Sequence, residues 1–292
     1  MSRVNALHPV VLLAYFVSIL AVAMFSADPW MTACVLMGGL LFSVMLEKRR
    51  FGKSALWYVA LFAAVTLSNP LFSHRGATVL FLMNDTAITG EALLYGVYLG
   101  ELLVATFCWF RCFNAVMSTD KLLFLFGKLS PKLSLLLSAA LRFVPMLTQQ
   151  AAKIREAQTA MGLYATNTWL DKLKGTARVY SALITWAMER AIDTGSSMKA
   201  RGYGLRGRSH YALYRFRRSD AVLLFGILLL DAVVAVALAT GQAAVTFYPM
   251  VVTAPMTVGY GSALVAVAVL SVLPFMLEVK EGLQWMYYRS KI

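Results

Sequence analysis

Apolar residues in this chain fall into long blocks, each separated from the next by a short polar or charged break. Crossing the hydrocarbon of a bilayer takes roughly 20 mostly apolar residues as an α-helix. Blocks of this kind run from Val10 to Ser26, Met31 to Leu46, Ala55 to Leu67, Ala92 to Phe110, Ala221 to Ala239 and Val258 to Leu277. They predict six spans, the third the shortest. Backbone groups in lipid must bond to one another, so each block is expected as a helix. Asp28-Pro29 reads as a tight turn pairing the first two. Arg3 and the apolar run behind it also fit the n-region and h-region of a signal peptide. No small-x-small cleavage site precedes the second run, and a retained hairpin is expected.

From Ser118 to Ser219 the pattern changes to helical periodicity with frequent Lys and Arg. Leu133, Leu136, Leu137, Ala140, Leu141, Val144 and Leu147 recur as one face of a helix. Pro145 lies inside that pattern and is expected to kink or break the helix. A second stripe runs Trp169, Leu173, Ala177, Tyr180, Ile184, Ala187, Ala191 and Met198, with small residues that admit another helix. Two long helices follow, about 132–162 and 168–201, packed together beneath the membrane. The organisation is then 1–117 with four spans and a short outer hairpin, 118–219 as a cytoplasmic helical domain, and 220–292 with two spans and a tail.

Composition supports the bilayer reading. Hydrophobic residues are 60% of the 292 and charged residues 14%, against roughly 45–50% and about 25% in soluble domains. The charge then sets orientation. With the termini inside, Lys48, Arg49, Arg50, Lys53, the 118–219 segment, Lys280, Arg289 and Lys291 all fall in the cytoplasm, and only Arg75 lies in an outer connection. Both termini are therefore expected on the cytoplasmic side.

Between the third and fourth spans, Ser68-Asn69-Pro70 is expected to end the helix. Thr78 to Met83 and Thr86 to Thr89 alternate around Asn84-Asp85 and suit a small hairpin. Thr89 is placed to cap the fourth span, with Glu91 in its first turn. Cys34, Cys108 and Cys112 sit in or near apolar helices, and no His spacing accompanies them, so they read as small buried residues rather than a metal site. Glu101 and Asp231 lie inside predicted spans, where acids are costly. Either each pairs across the bundle with a hydroxyl or with Arg111, or they mark a proton or cation path.

Both long helices of the basic domain close alike, one with Ala160-Met161-Gly162 and the other with Ala200-Arg201-Gly202. Gly just past a helix end is a common left-handed stop. That alone does not account for Arg206, Arg208, Arg215, Arg217 and Arg218 behind the second end. Such a cluster fits an anionic partner: lipid headgroups, nucleic acid or an acidic protein groove.

Leu141-Arg142-Phe143-Val144-Pro145 with Ala157-Gln158 and Ala160-Met161-Gly162 resembles the first coupling helix of the transmembrane T component of energy-coupling factor (ECF) transporters. Ser197-Met198-Lys199-Ala200-Arg201-Gly202-Tyr203-Gly204 resembles its second Ala-Arg-Gly motif. Asn69-Pro70-Leu71-Phe72-Ser73 and Thr89-Gly90-Glu91-Ala92-Leu93 are similar to further family stretches. The resemblance runs from about residue 65 to 210.

It implies an all-α integral membrane protein of about six transmembrane helices plus two long cytoplasmic amphipathic coupling helices. It implies a non-catalytic subunit of the prokaryotic cell membrane that joins two ABC-type ATPase subunits to a small substrate-binding S component, importing a vitamin or metal ion. Lipids are further partners, and nucleic acid is not. No cofactor is expected on this chain, since ATP is bound by the partner ATPases. Residues 160–162 and 200–202 are the docking ends, with Arg206 and Arg208 as a supporting basic cluster. By carry-over, Arg201 pairs with acidic groups on one ATPase. The family usually has Arg where Met161 stands; Met161 can pack into an apolar groove but forms no ion pair, and Arg155 lies nearly two turns back.

No nucleotide-binding signature is present: Gly52-Lys53-Ser54 lacks the P-loop Gly, which is Glu47 here. Two other readings stand beside the T component. One is an ion-coupled secondary transporter using Glu101 and Asp231. The other is a membrane anchor whose basic arm binds lipid or nucleic acid.

Overall fold

The computed structural model describes residues 7–46, 51–73, 76–83, 86–162, 168–205, 214–243, 245–253 and 255–289. Nine helices and one hairpin are found among them. These are α1 (Pro9–Phe25), α2 (Pro29–Leu46), α3 (Phe51–Phe72), β1 (Val79–Met83), β2 (Thr86–Thr89), α4 (Gly90–Val116), α5 (Thr119–Leu129), α6 (Pro131–Ala160), α7 (Trp169–Ala200), α8 (Arg218–Ala239) and α9 (Val258–Arg289). The chain forms two compact units, one of Met1–Leu122 with Tyr214–Ile292 and the other of Leu123–Leu213.

The first unit is the membrane-spanning one. Helices α2, α3, α4, α8 and α9 are each long and apolar enough to cross a bilayer. The first expected span, α1, is apolar but has only 17 residues, the lower end of the spanning range. The turn between α1 and α2 is built by Asp28, whose Oδ1 accepts from Trp30 N at 2.9 Å. Its carbonyl also accepts from the Thr32 hydroxyl at 3.0 Å. Asp28 thus caps α2 ahead of Pro29, a residue that suits the first helical position because it has no N–H to satisfy.

Trp109 of α4 is the centre of the unit. It is fully buried, its indole N–H donates to the Val35 carbonyl of α2 at 3.0 Å, and its ring meets Tyr15, Phe16 and Phe42. Two adjacent glycines on α2 make this possible. A Cβ at Gly39 would lie 2.9 Å from the Trp109 Nε1, and one at Gly38 would lie 2.5 Å from the Ser271 Cβ of α9. Helix α2 is therefore wedged between α4 and α9, with no side chain at either contact point. Close backbone approach of this kind is how helices associate where lipid removes the hydrophobic drive between them.

The third span is longer than its apolar block suggests. Helix α3 has 22 residues and runs through Pro70 to Phe72, so Ser68-Asn69-Pro70 does not end it. Pro70 lacks the N–H that would bond to the Thr66 carbonyl. That carbonyl faces Gly96 of α4, where a Cβ would come within 2.7 Å of it. Asn69 Nδ2 donates to the Ala92 carbonyl at 2.6 Å, and Ser73 N continues the helix to the Asn69 carbonyl at 2.9 Å. Pro70 thus lies two residues from the end of α3, and the Asn69 and Ser73 bonds carry the chain through it.

The hairpin forms between β1 and β2, antiparallel, with Met83 opposite Thr86 and Val79 opposite Thr89 and an irregularity between Val79 and Phe81. Asn84 and Asp85 lie outside the described residues. Thr89 caps α4 by accepting from Ala92 N at 3.4 Å. Glu91 is buried and accepts from both the backbone N (3.2 Å) and the hydroxyl (2.8 Å) of Thr78. The acid in the first turn therefore ties the helix start to the strand ahead of it. At the other end of α4, the buried Lys121 ammonium donates to the Val116 carbonyl at 2.9 Å.

Candidate functional site

The second unit contains the helix pair that carries both motif ends. Helices α6 and α7 pack on each other, with limits within two residues of those expected. Helix α6 is not broken at Pro145, which lies inside it. The packing faces differ from the stripes read in the sequence. On α7 the buried residues are Gly175 and Val179, while Leu173, Tyr180 and Ile184 are each more than half exposed. On α6, Phe143, Met146, Ala151 and Ile154 are partly covered, while Leu133, Leu136 and Val144 stay exposed. Each helix is apolar on two sides, one spent on its partner in the pair and the other left open. A periodicity count registers both faces and cannot rank them.

The two ends share one backbone shape. Met161 closes α6 at φ −81°, ψ 8° and Arg201 closes α7 at φ −82°, ψ 9°. Gly162 and Gly202 follow at φ +81° and +82°, in the left-handed region that favours glycine. Gly162 N donates to the Thr159 carbonyl and Gly202 N to the Lys199 carbonyl, both at 3.0 Å. Tyr203 N then reaches the Met198 carbonyl at 3.0 Å, completing a Schellman motif. Helix α8 ends the same way: Gly241 has φ +72°, and Gln242 N donates to the Ala237 carbonyl at 3.1 Å. The backbone shape is thus a general stop.

What separates the first two ends is what they present. Met161 is 74% exposed and Arg201 is exposed. Ala160 and Ala200 are the last helical residues and are exposed as well. Each end offers one long side chain, flanked by residues too small to hide it. Arg206 and Arg208 lie outside the described residues. Of the other arginines behind α7, Arg217 lies at the start of α8, where its N donates to the buried Asp220 Oδ2 at 3.0 Å.

The two intramembrane acids part company. Asp231 of α8 accepts the Ser18 hydroxyl of α1 at 2.5 Å, a cross-bundle pairing. Glu101 of α4 keeps a buried Oε2 with no hydrogen-bond partner among the described residues. Arg111 points at Tyr58, donating to its hydroxyl at 3.5 Å. Cys108 and Cys112 are buried and not joined in a disulfide, and no group of three or more His, Cys, Asp or Glu positioned for a metal occurs among the described residues.

Comparison with known proteins finds relatives over most of the chain. Residues 2–211 match the family described as Cobalt transport protein, CbiQ. The chain is 29% identical over 227 residues to the energy-coupling factor transporter transmembrane protein EcfT of Listeria innocua, covering 71% of this chain and 83% of that protein. It is 29% identical over 237 residues to the EcfT of Streptococcus thermophilus, covering 75% and 88%. With the EcfT of Bacillus selenitireducens it shares 34% identity over a shorter stretch of 105 residues, 35% of this chain and 39% of that one.

Proposed function

The chain belongs to the cobalt transport protein family represented by CbiQ, and from that premise we propose that it is the scaffold through which partner ATPases drive an importer. It is a multi-pass membrane protein and a transmembrane component of an energy-coupling factor transporter. In the proposed mechanism, two ABC-type ATPase subunits bind and hydrolyse ATP while this chain performs no catalysis. The ends of α6 and α7 dock in the ATPases, and their movement reorients a small S component that carries a vitamin or metal ion inward. The basic segment and both termini face the cytoplasm.

The observation that carries this reading is the pair of matching helix ends. Each stop ends a rigid helix on one long exposed side chain, so a push on that side chain reaches the whole helix axis. Ala160, Met161 and Gly162 form one prong; Ala200, Arg201 and Gly202 form the other. Arg201 supplies charge-assisted bonds to an acidic groove. Met161 supplies only apolar contact, for which its flexible thioether is suited. The open faces of α6 and α7 also support a partner there, because contiguous exposed apolar surface marks interaction sites.

Two measurements on the tagged full chain test the proposal. Purified alone, it should neither bind nor hydrolyse ATP; purified from cells, it should bring ABC-type ATPases with it. ATP turnover by the isolated chain would overturn the proposal. The buried Glu101 Oε2, without a partner among the described residues, favours a second reading, ion-coupled transport by this chain alone. Proton- or sodium-driven uptake in liposomes holding only this protein, abolished by Glu101→Gln, would establish it.

A further inference from the structure

Within the second unit, α6 and α7 bound an open cleft of about 790 Å³, a size ordinary for small-molecule sites. Its charge is lopsided. Lys132 and Arg142 line it from α6, Arg190 and Arg201 from the α7 side, and Asp193 is the one carboxylate among its described lining residues. No ion pair occupies Lys132, Arg142 or Arg201 among the described residues. Arg190 sits over the Trp186 ring at 5.6 Å, a contact that leaves its charge unneutralised.

The remaining lining is of two kinds. Ser138 and Ser197 bring hydroxyls, beside Ser134 and Thr194 whose hydroxyls donate to the Leu123 and Arg190 carbonyls, while Leu135, Phe143, Met146 and Met198 bring apolar wall. We propose that this cleft binds the headgroup of an acidic phospholipid, with the arginines and hydroxyls on its phosphate and the apolar wall against its glycerol and upper acyl region. Guanidinium groups match phosphate oxygens in a planar fork, which favours phosphate as the anion. The apolar wall favours an amphiphile, since a free phosphate would leave it wetted and unused. Availability points the same way. The unit is joined at both ends to membrane spans, α4 ending at Val116 and α8 beginning at Arg218, so the chain tethers it to a bilayer surface where acidic headgroups are concentrated.

This inference does not depend on ATPase docking, although Arg201 belongs to both, and the test therefore leaves Arg201 untouched. The delipidated full chain in a non-ionic detergent is titrated with dioleoyl phosphatidylglycerol and followed by native mass spectrometry. Dioleoyl phosphatidylcholine, glycerol 3-phosphate and an acidic peptide serve as comparison arms. Phosphatidylglycerol should bind most tightly, and the Arg142→Gln/Arg190→Gln double variant should weaken it roughly thirtyfold, two cations at about 1 kcal/mol each. Arg215→Gln/Arg218→Gln removes the same charge outside the cleft and should weaken it far less. Arg142→Lys/Arg190→Lys keeps the charge but not the guanidinium fork and should lose less affinity than the Gln pair, which separates lost charge from lost folding. Equal binding of phosphatidylcholine, or equal losses from the two Gln pairs, would overturn the proposal. Full competition by glycerol 3-phosphate or by the peptide would overturn the lipid as ligand.

Discussion

The Ser18 hydroxyl donates to Asp231 Oδ1 at 2.5 Å and joins α1 to α8 inside the membrane-spanning unit. An acid held this way is a structural strut, and the substitutions that distinguish strut from ion carrier follow from donor chemistry. Ser18→Ala leaves the carboxylate without its donor and should destabilise the protein by about 1–2 kcal/mol. Asp231→Asn retains an acceptor oxygen and should cost less. Both are read by unfolding of the purified protein in mixed micelles, and Asp231→Asn should leave uptake by the assembled transporter intact.

Close helix approach gives a second prediction. Gly96→Val forces a side chain into the Thr66 carbonyl, whereas a Cβ at Gly226 would meet nothing within 4 Å. Gly96→Val should cost roughly 1–3 kcal/mol by overpacking, or more if the carbonyl is displaced. Gly226→Val should fall within about 0.5 kcal/mol of wild type. Equal losses at the two sites, measured by the same unfolding assay, would contradict the packing described.

Lys121 gives a pH signature. Burial pushes its ammonium below the ordinary lysine value of 10.5. Because the folded state then binds fewer protons than the unfolded state, its contribution to stability rises with pH through the folded-state value and levels off above 10.5. Lys121→Met should lose the Val116 carbonyl bond and flatten that rise relative to wild type. Unfolding midpoints of the two proteins across the alkaline range test this.

Much of this architecture is legible in the residues, and what escapes has identifiable causes. Span positions follow from block length, because the bilayer fixes how many apolar residues a crossing needs. The hairpin and the Thr89 cap follow from local turn and cap chemistry. The end of α3 is misplaced by the sequence pattern because a proline removes only one intrahelical bond, and Asn69 and Ser73 hold the turn on either side of Pro70. Gly96 packs against the Thr66 carbonyl, and Gly96 and Gly100 form a spaced glycine pair that points to such a close contact. The packing faces of α6 and α7 are ambiguous in the sequence because both sides of each helix are apolar. The matched stops are visible as Gly162 and Gly202, but the basic cleft depends on which residues of two distant segments come together, a property no single periodicity carries.

The glycines that form the two stops make a further prediction. Gly202→Ala forces a Cβ into φ +82° and should cost about 1 kcal/mol at the end of α7. Gly162→Ala, at φ +81°, should cost a similar amount. Hydrogen exchange in the last turn of each helix reports the fraying directly.

The central claim is that α6 and α7 end in unequal prongs, one ionic and one apolar, that engage partner ATPases. Co-purification of ABC-type ATPases with tagged full-length chain, compared between wild type and Arg201→Glu, tests it most directly. Reversing the charge should weaken ATPase association about tenfold or more, the worth of one charge-assisted contact, and abolish ATP-driven uptake while the unfolding midpoint stays unchanged. Wild-type ATPase recovery together with wild-type uptake in the Arg201→Glu protein would contradict the account.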